Sequence, residues 1–332
     1  MNLLIIKDDK PGHYNQTEGL LLQLKEVYPD IKVEYIDVEI KSKLKRKLLR
    51  FLLNSFSSFF ENKNNLKYLP FFYKKSSSPL INPDLIISTG GNTSNLNAWL
   101  SKAYECKNIL NGSLRGLNET LFTNITTVID LGYKNQIILD VAPSLVTKEK
   151  LKNESEFFIK EKMIDENQIY YSLLIGGNGS GYTYDNDFFD NLITFVKELS
   201  SKNNISWLIT TSRRTSIDIE KRLEDELKNY SSYFVSYNKK EEKVLVPFLG
   251  LSTKIFVTEE SASMISEAIS SSKPVFTLKP KTVNSDENYQ KIIEKFTLEN
   301  RIISISNFEL KENTKFNLIE ENKELQKLKE LI

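Results

Sequence analysis

A chain of 332 residues is too long for one ordinary hydrophobic core and fits two domains of roughly 150 residues each. With 40% hydrophobic and 27% charged residues it can bury substantial cores, which excludes a disordered tail or a low-complexity linker. Lys plus Arg is 45 against 44 for Asp plus Glu, a net +1, so no global field selects nucleic acid and none is expected as a partner.

The single cysteine, Cys106, excludes an internal disulfide and points to a reducing compartment. With one histidine in the chain it leaves no Cys/His set for zinc, so no metal site is expected. Residues 1–12 hold an apolar run of about five residues before charges return, too short for a secretory signal. No stretch approaches the roughly 20 apolar residues of a membrane span. A cytoplasmic protein is expected, at most peripheral on the inner face of the cytoplasmic membrane.

Residues 3–6 read as a first strand, followed by a polar loop at 7–16, an apolar-periodic helix at 18–27 and a strand at 31–38. Pro83-Asp84 precedes a strand at 85–88, which leaves through Thr89-Gly90-Gly91-Asn92 into a helix carrying Leu96, Trp99 and Leu100. Strand-like pieces follow at 108–110, 126–129 and 136–139. Short apolar strands with glycine-rich exits describe a parallel sheet covered by helices.

The charged stretch 147–167 reads as a surface helix or connector. A second series then has strands at 171–175, 206–210, 233–235, 254–257 and 274–278, with helices at 188–199, 217–227 and 262–269. The plan repeats although the sequence does not. The boundary falls near 150–168, giving domains 1–150 and 151–332, and residues 311–332 carry leucines at helical spacing. The expected fold is α/β, two Rossmann-like domains facing a central cleft. Ligands in such folds sit beyond the carboxyl ends of the strands, so the strand exits are where chemistry is sought.

Gly176-Gly177-Asn178-Gly179-Ser180-Gly181 follows the strand at 171–175 directly. Such a run lets backbone amides approach a phosphate, but it lacks the Gly-Lys-Ser/Thr ending of an ATPase loop and is loosely spaced for a dinucleotide fingerprint. A tight turn and a ligand contact through Gly176, Gly177 and Asn178 are both open. After the next strand, Ser212-Arg213-Arg214-Thr215 concentrates guanidiniums and hydroxyls, and arginine offers the fork that suits phosphate oxygens. The two arginines cannot point the same way. One, with Arg213 ahead, is expected to reach a diphosphate while the other braces the loop; the plain alternative is a solvated turn.

The strongest constellation runs from Thr258-Glu259-Glu260 through Ala268. Ser261 or Ser263 is placed to cap a helix whose free N–H groups face the cleft, and Ser263 and Glu267, four apart, share a face. A capped amphipathic helix explains Met264, Ile265 and Ala268 as core residues but leaves Glu267 unexplained. A carboxylate there accepts the hydroxyls of a ribose or sugar while the helix end holds phosphate. Glu259, Ser261, Ser263, Met264 and Glu267 are therefore assigned to donor binding.

The only histidine, His13, follows Gly12 at the first strand exit. Imidazole titrates near neutrality and can take a proton from an attacking hydroxyl; a loop histidine bonded only to its neighbours is the alternative. Asp8 and Asp9 leave the same strand and are the next candidates for a base. Residues 41–60, KSKLKRKLLRFLLNSFSSFF, place six Lys and Arg among leucines and phenylalanines. This fits a helix lying on an anionic membrane surface or a core helix with snorkelling lysines.

Lys10-Pro11-Gly12-His13 with Asn15-Gln16 and Gly19-Leu20, Ile175-Gly176-Gly177, Thr211-Ser212-Arg213-Arg214-Thr215, and the run from Val257 through Ser263-Met264 and Ser266-Glu267-Ala268 to Lys273-Pro274-Val275 together resemble the mitochondrial-fission ELM family, whose relatives are mostly bacterial. The resemblance covers nearly the whole chain. It implies a glycosyltransferase-B-like double Rossmann architecture, broadly similar to the enzyme that adds N-acetylglucosamine to the lipid-linked peptidoglycan precursor. The chain departs from that pattern where relatives carry Pro-Arg and Pro-x-His-Asp segments: Leu110-Asn111-Gly112-Ser113 and residues 130–135 stand there, and the second histidine is absent.

The function expected is a metal-independent glycosyltransferase. It holds no bound cofactor, uses a nucleoside-diphosphate sugar as donor and acts on an envelope glycan or lipid-linked acceptor. The alternative is a non-enzymatic membrane-associated or fission-related scaffold retaining the fold, and a nucleotide-sugar hydrolase or epimerase is third.

Overall fold

A computed structural model describes residues 1–310 and 314–319. The helix expected over 311–332 falls largely outside them, and 314–319 is irregular chain. The chain divides into two compact units, Met1–Leu145 and a second that begins at Val146. Each is described by itself.

In unit 1 the main elements are β1 (Asn2–Lys7), α1 (Pro11–Val27), β2 (Lys32–Asp37), α2 (Lys43–Ser55), β3 (Leu85–Thr89), α3 (Ser94–Tyr104), β4 (Lys107–Asn111), β5 (Asn124–Thr127) and β6 (Gln136–Ile138), beside a small antiparallel ribbon of Glu39–Ile40 and Tyr73–Lys75. The sheet is parallel throughout, in the order β2-β1-β3-β4-β5-β6. Both faces are covered, which is why β1 is an unbroken apolar run rather than an alternating one. Leu3 and Ile5 pack with Leu20, Leu21 and Leu24 of α1. Leu4 and Ile6 belong to the opposite core, with Leu96, Trp99 and Leu100 of α3 and Leu49 and Leu53 of α2.

Two expectations are corrected here. The polar loop ends at Lys10, because Pro11 opens α1 and its missing N–H lies where a helix needs none; His13 through Gln16 are thus helical. Residues 41–60 do not form one helix. α2 stops at Ser55 and two 3₁₀ turns follow, Ser57–Glu61 and Lys63–Tyr68.

Unit 2 contains α4 (Lys148–Lys162), β7 (Tyr170–Leu174), α5 (Asn186–Asn203), β8 (Ser206–Thr210), α6 (Ile217–Leu227), β9 (Ser231–Val235), α7 (Leu245–Leu251), β10 (Ser252–Thr258), α8 (Ala262–Ser270), β11 (Val275–Leu278), α9 (Glu287–Leu298) and β12 (Ile303–Ile305). Its parallel sheet runs β9-β8-β7-β10-β11-β12. The strand order reverses between β7 and β10, as it does between β1 and β3 in unit 1. These reversals open the crevices in which doubly wound sheets bind ligands.

Gly19 on α1 faces the chain segment after β6, where an added Cβ would lie 2.4 Å from the Ser144 nitrogen. Backbone cannot yield as a side chain can. Gly19→Ala should therefore lower stability by about 1–3 kcal/mol despite its better helix propensity, as urea denaturation would measure.

Candidate active site

At the unit 1 switch point, Asp8 leaves β1 with its carboxylate only 1% exposed, and His13 comes round on the first turn of α1 to meet it. His13 Nδ1 lies 3.0 Å from both Asp8 oxygens. The carboxylate also accepts from the Lys10 amide at 3.2 Å and from Asn92 Nδ2 at 3.3 Å. Because an ionised carboxylate only accepts, Nδ1 carries a proton, and in the neutral ring the acceptor nitrogen is then Nε2. Burial pushes the Asp8 carboxyl up, but the His13 contact and the Lys10 amide outweigh it and hold the group below its ordinary value. The His13 ring occupies space that only glycine leaves open at residue 90, where φ is +88° and a Cβ would stand 2.2 Å from Cε1. Asp9 is exposed and has no hydrogen bond or ion pair among the described residues.

Behind this pair lies a buried polar layer. Thr17 Oγ1 donates to the His13 carbonyl at 2.9 Å and meets Thr89 Oγ1 at 2.7 Å. Asn111 donates to Gln16 Oε1 at 3.0 Å and to Thr89 Oγ1 at 3.3 Å and accepts from Thr126 Oγ1 at 3.0 Å, so the departure at 110–113 fastens the ends of β3, β4 and β5 to α1. Residues 130–135 form a turn closed by the Gly132 amide on Asp130 Oδ1 and by Asn135 Nδ2 on the Phe122 carbonyl, 2.7 and 2.6 Å.

In unit 2 the glycine loop is drawn inward. The Gly176 amide donates to Thr258 Oγ1 at 2.7 Å and the Gly177 amide to Glu260 Oε1 at 3.1 Å. Both amides expected to face a phosphate are thus engaged within the unit. The glycines are needed for close approach instead: a Cβ at Gly176 would sit 1.5 Å from Glu260 Oε1, and one at Gly177 would sit 2.3 Å from the Arg214 carbonyl oxygen. Asn178 Oδ1 accepts from the Tyr184 amide at 2.8 Å.

Arg214 is the brace, donating from Nη2 to Glu260 Oε1 at 2.9 Å. Ser212 Oγ accepts the Arg214 amide at 3.2 Å, and Thr215 Oγ1 accepts the Ser212 amide at 3.1 Å and donates to the Gly176 carbonyl. Arg213 is exposed and has no partner among the described residues. Burial pushes the Glu260 carboxyl above its ordinary value, against the lowering by Arg214 and the Gly177 amide. Its Oε2 accepts no hydrogen bond among the described residues.

Glu259 is fully buried and takes hydroxyls from Tyr182, Thr277 and Ser304 at 3.2, 2.7 and 2.5 Å. It is an interior anchor. α8 begins after Ser261, whose side chain caps none of its N–H groups, so the expected cap is absent. Ser263, Met264 and Glu267 are half-buried along α8. The helices after the β1, β3 and β10 exits all lack side-chain caps, whereas α2, α4, α5, α6 and α9 are each capped by a Ser, Thr or Asp side chain. Sequence reading missed Glu260 as the partner of Arg214 and Asn92 as the third member of the Asp8–His13 group. The only signal for Asn92 is its place after two glycines at a strand exit.

Among the described residues no group of three or more His, Cys, Asp or Glu is placed to hold a metal ion. A cavity of about 840 Å³ lined by Phe195, Leu199, Phe276 and Phe308 lies beside Lys254 and Pro274, where β10 and β11 begin, away from the strand exits.

Two Rossmann-like parallel sheets, each flanked by helices and each with its polar residues gathered at a switch point, define an α/β protein of the glycosyltransferase-B type. The chain belongs to the family described as Mitochondrial fission ELM1, which matches residues 11–330. It is 24% identical over 349 aligned positions to uncharacterized protein RP120 of Rickettsia prowazekii (strain Madrid E), covering 92% of this chain and 91% of that one. Among solved structures it is similar to the UDP-GlcNAc 2-epimerase of Methanocaldococcus jannaschii, with 13% identity, coverage of 100% and 91%, and a TM-score of 0.54. The ADP-heptose LPS heptosyltransferase II of E. coli matches with 10% identity, coverage of 100% and 98%, and a TM-score of 0.49.

The lowered Asp8 carboxyl has a consequence for acid stability. Stability from such a group is complete above the unfolded carboxylate value of about 3.9 and is lost as pH falls through the lower folded value. Asp8→Asn should therefore cost about 1–3 kcal/mol at pH 7, with the gap from the parent closing below about pH 4 when denaturation is followed across that range.

Proposed function

We propose that the protein transfers a sugar from a nucleoside-diphosphate sugar to a hydroxyl of an envelope glycan or lipid-linked acceptor, the donor resting on unit 2 and the acceptor on unit 1. The observation that carries this reading is the Asp8–His13 pair, in which a buried carboxylate orients an imidazole and leaves Nε2 as the lone acceptor. As the acceptor oxygen attacks the anomeric carbon, its proton passes to Nε2 and Asp8 stabilises the imidazolium. A glycosidic bond forms while the bond from the anomeric carbon to the diphosphate oxygen breaks. The nucleoside diphosphate leaves with that electron pair, facing Arg213 and the uncapped N-terminus of α8. Glu267 accepts hydroxyls of the ribose or sugar.

The membrane reading rests on the outer face of α2 and its following turns. Leu49, Leu53 and Phe60 are core residues, yet Leu44 is 77% exposed, Phe51 58% and Phe56 55%. Lys41 and Lys45 are tied to the Pro70 and Phe71 carbonyls, while Lys43 and Lys47 have no partner among the described residues. Among the described residues no helix is long and apolar enough to cross a membrane. We place the protein in the cytoplasm with this face on an anionic membrane surface.

A second reading, a membrane-associated scaffold without activity, is favoured by the same exposed apolar face and by the family's description. Binding screens with UDP-, GDP-, ADP- and CMP-sugars separate the two, since a scaffold takes none of them. For the transferase, His13→Ala should slow the chemical step by roughly 100- to 10,000-fold with donor affinity near normal. Glu267→Gln should weaken donor binding by about 1.5–3 kcal/mol, and Arg213→Ala should weaken the diphosphate more than the free nucleoside. Normal turnover of His13→Ala on the true acceptor would remove the base assignment.

Joint replacement Lys43→Glu and Lys47→Glu should release the folded protein from phosphatidylglycerol vesicles, each surface cation contributing about 1 kcal/mol. Cosedimentation measures this, and wild-type protein left in the supernatant would sink the membrane assignment.

A further inference from the structure

The chain uses lysine 38 times and arginine seven times, and all three arginines of unit 1 converge on the β3 exit. Arg46 on α2 donates from Nη1 to Asn92 Oδ1 at 2.9 Å, and its carbonyl accepts from Asn95 Nδ2 at 3.2 Å. Arg50, one turn on, donates from Nη1 to the Arg115 carbonyl at 2.5 Å. The stem of Arg115 crosses Gly91 so closely that a Cβ there would lie 2.8 Å from its Cδ. None of the three forms an ion pair with a described carboxylate. Asp8, which reaches this group through Asn92, is buried and turned to His13.

Three guanidiniums gathered without a counter-charge are not explained by the fold. A structural cation on a surface is served as well by lysine, which this chain otherwise prefers, whereas the planar fork of arginine matches phosphate oxygens two at a time. Arg115 also holds a left-handed backbone, φ 48°, a conformation that side-chain-bearing residues avoid, and its guanidinium has no partner among the described residues. Asn92 joins this group to the candidate base, accepting from Arg46 with its oxygen and donating to Asp8 with its nitrogen.

We propose that Arg46, Arg50 and Arg115 form an anion site for a phosphate or diphosphate carried by the acceptor, which they fix beside His13. The acceptor is then a phosphorylated molecule rather than a neutral glycan. This rests on the transfer reading above for the word acceptor, but the site itself is tested without turnover.

The test is calorimetry of the full chain with inorganic pyrophosphate and with geranyl diphosphate, set against cosedimentation with phosphatidylglycerol vesicles. Arg46→Gln and Arg115→Gln should each weaken both soluble diphosphates at least tenfold. The Lys43→Glu, Lys47→Glu pair should leave geranyl diphosphate binding within twofold. Arg115 is exposed, so its variant should keep the parent melting temperature even if Arg46→Gln does not. Arg115→Lys, keeping charge without the fork, should fall between parent and Arg115→Gln.

No geranyl diphosphate binding by the parent at millimolar concentration would overturn the proposal. So would a loss confined to Arg213→Ala, which places the diphosphate on unit 2, or a loss confined to vesicle binding, which makes the arginines a lipid-surface contact. Failure of the transfer reading looks different. The parent then binds no nucleotide sugar while the arginine variants still lose geranyl diphosphate, and the anion site stands.

Discussion

A carboxylate taken out of water at the end of a strand must be matched by donors or it gives up its charge, and Asp8 and Glu260 meet that demand in opposite ways. Asp8 gathers an imidazole, a side-chain amide and a backbone amide, and is held ionised. Glu260 is matched at one oxygen only, by Arg214 and the Gly177 amide, and burial lifts its carboxyl. Much of each site's shape follows. Gly90 is bare because the imidazole that answers Asp8 needs its volume, and Gly176 is bare because Glu260 needs the same. Arg214 is committed to Glu260, which leaves Arg213 as the exposed cation of that loop.

The sheets were legible because buried parallel strands are apolar runs closed by glycine and small polar residues, and their helices carry a 3.6-residue stripe. Residues 206–210 and 217–227, read from that pattern, are β8 and α6. α7 was missed because seven residues around Pro247 show too little period, and α9 and β12 because no motif drew the reading beyond 278. Within the site, His13 was legible as a residue type at a strand exit but not as one half of a pair. Its bond to Asp8 depends on where α1 begins and on the space at Gly90, neither of which a linear pattern states. Glu259 misled for the same reason. The hydroxyls that hold it inside come from residues 182, 277 and 304, far apart in the chain.

The segment 41–60 posed a choice between core helix and membrane helix that its residues could not decide, because some of its apolar side chains are buried and others are exposed. Leu49, Leu53 and Phe60 face inward, Phe60 standing edge-on to Trp99 at 5.0 Å, while Leu44, Leu48, Phe51, Phe56 and Phe59 face out. Composition records how many apolar residues a helix has. Only the path of the neighbouring chain settles which of them it has room to cover.

With a net charge of +1, unpaired positive charge in this chain is a matter of placement. In unit 1 that placement depends on Asn92. Its oxygen faces Arg46 and its nitrogen faces Asp8, so a neutral amide stands between them in place of a direct Arg46–Asp8 pair. Such a pair would be favourable in itself, since a buried carboxylate seeks a guanidinium. It would also cancel the charge that marks the β3 exit and release the imidazole that Asp8 holds in one tautomer. The amide satisfies both neighbours without neutralising either. The interposed amide keeps apart an imidazole oriented by Asp8 and a guanidinium that has no carboxylate partner among the described residues, and a direct ion pair would have to repay the desolvation of both charges before it added stability.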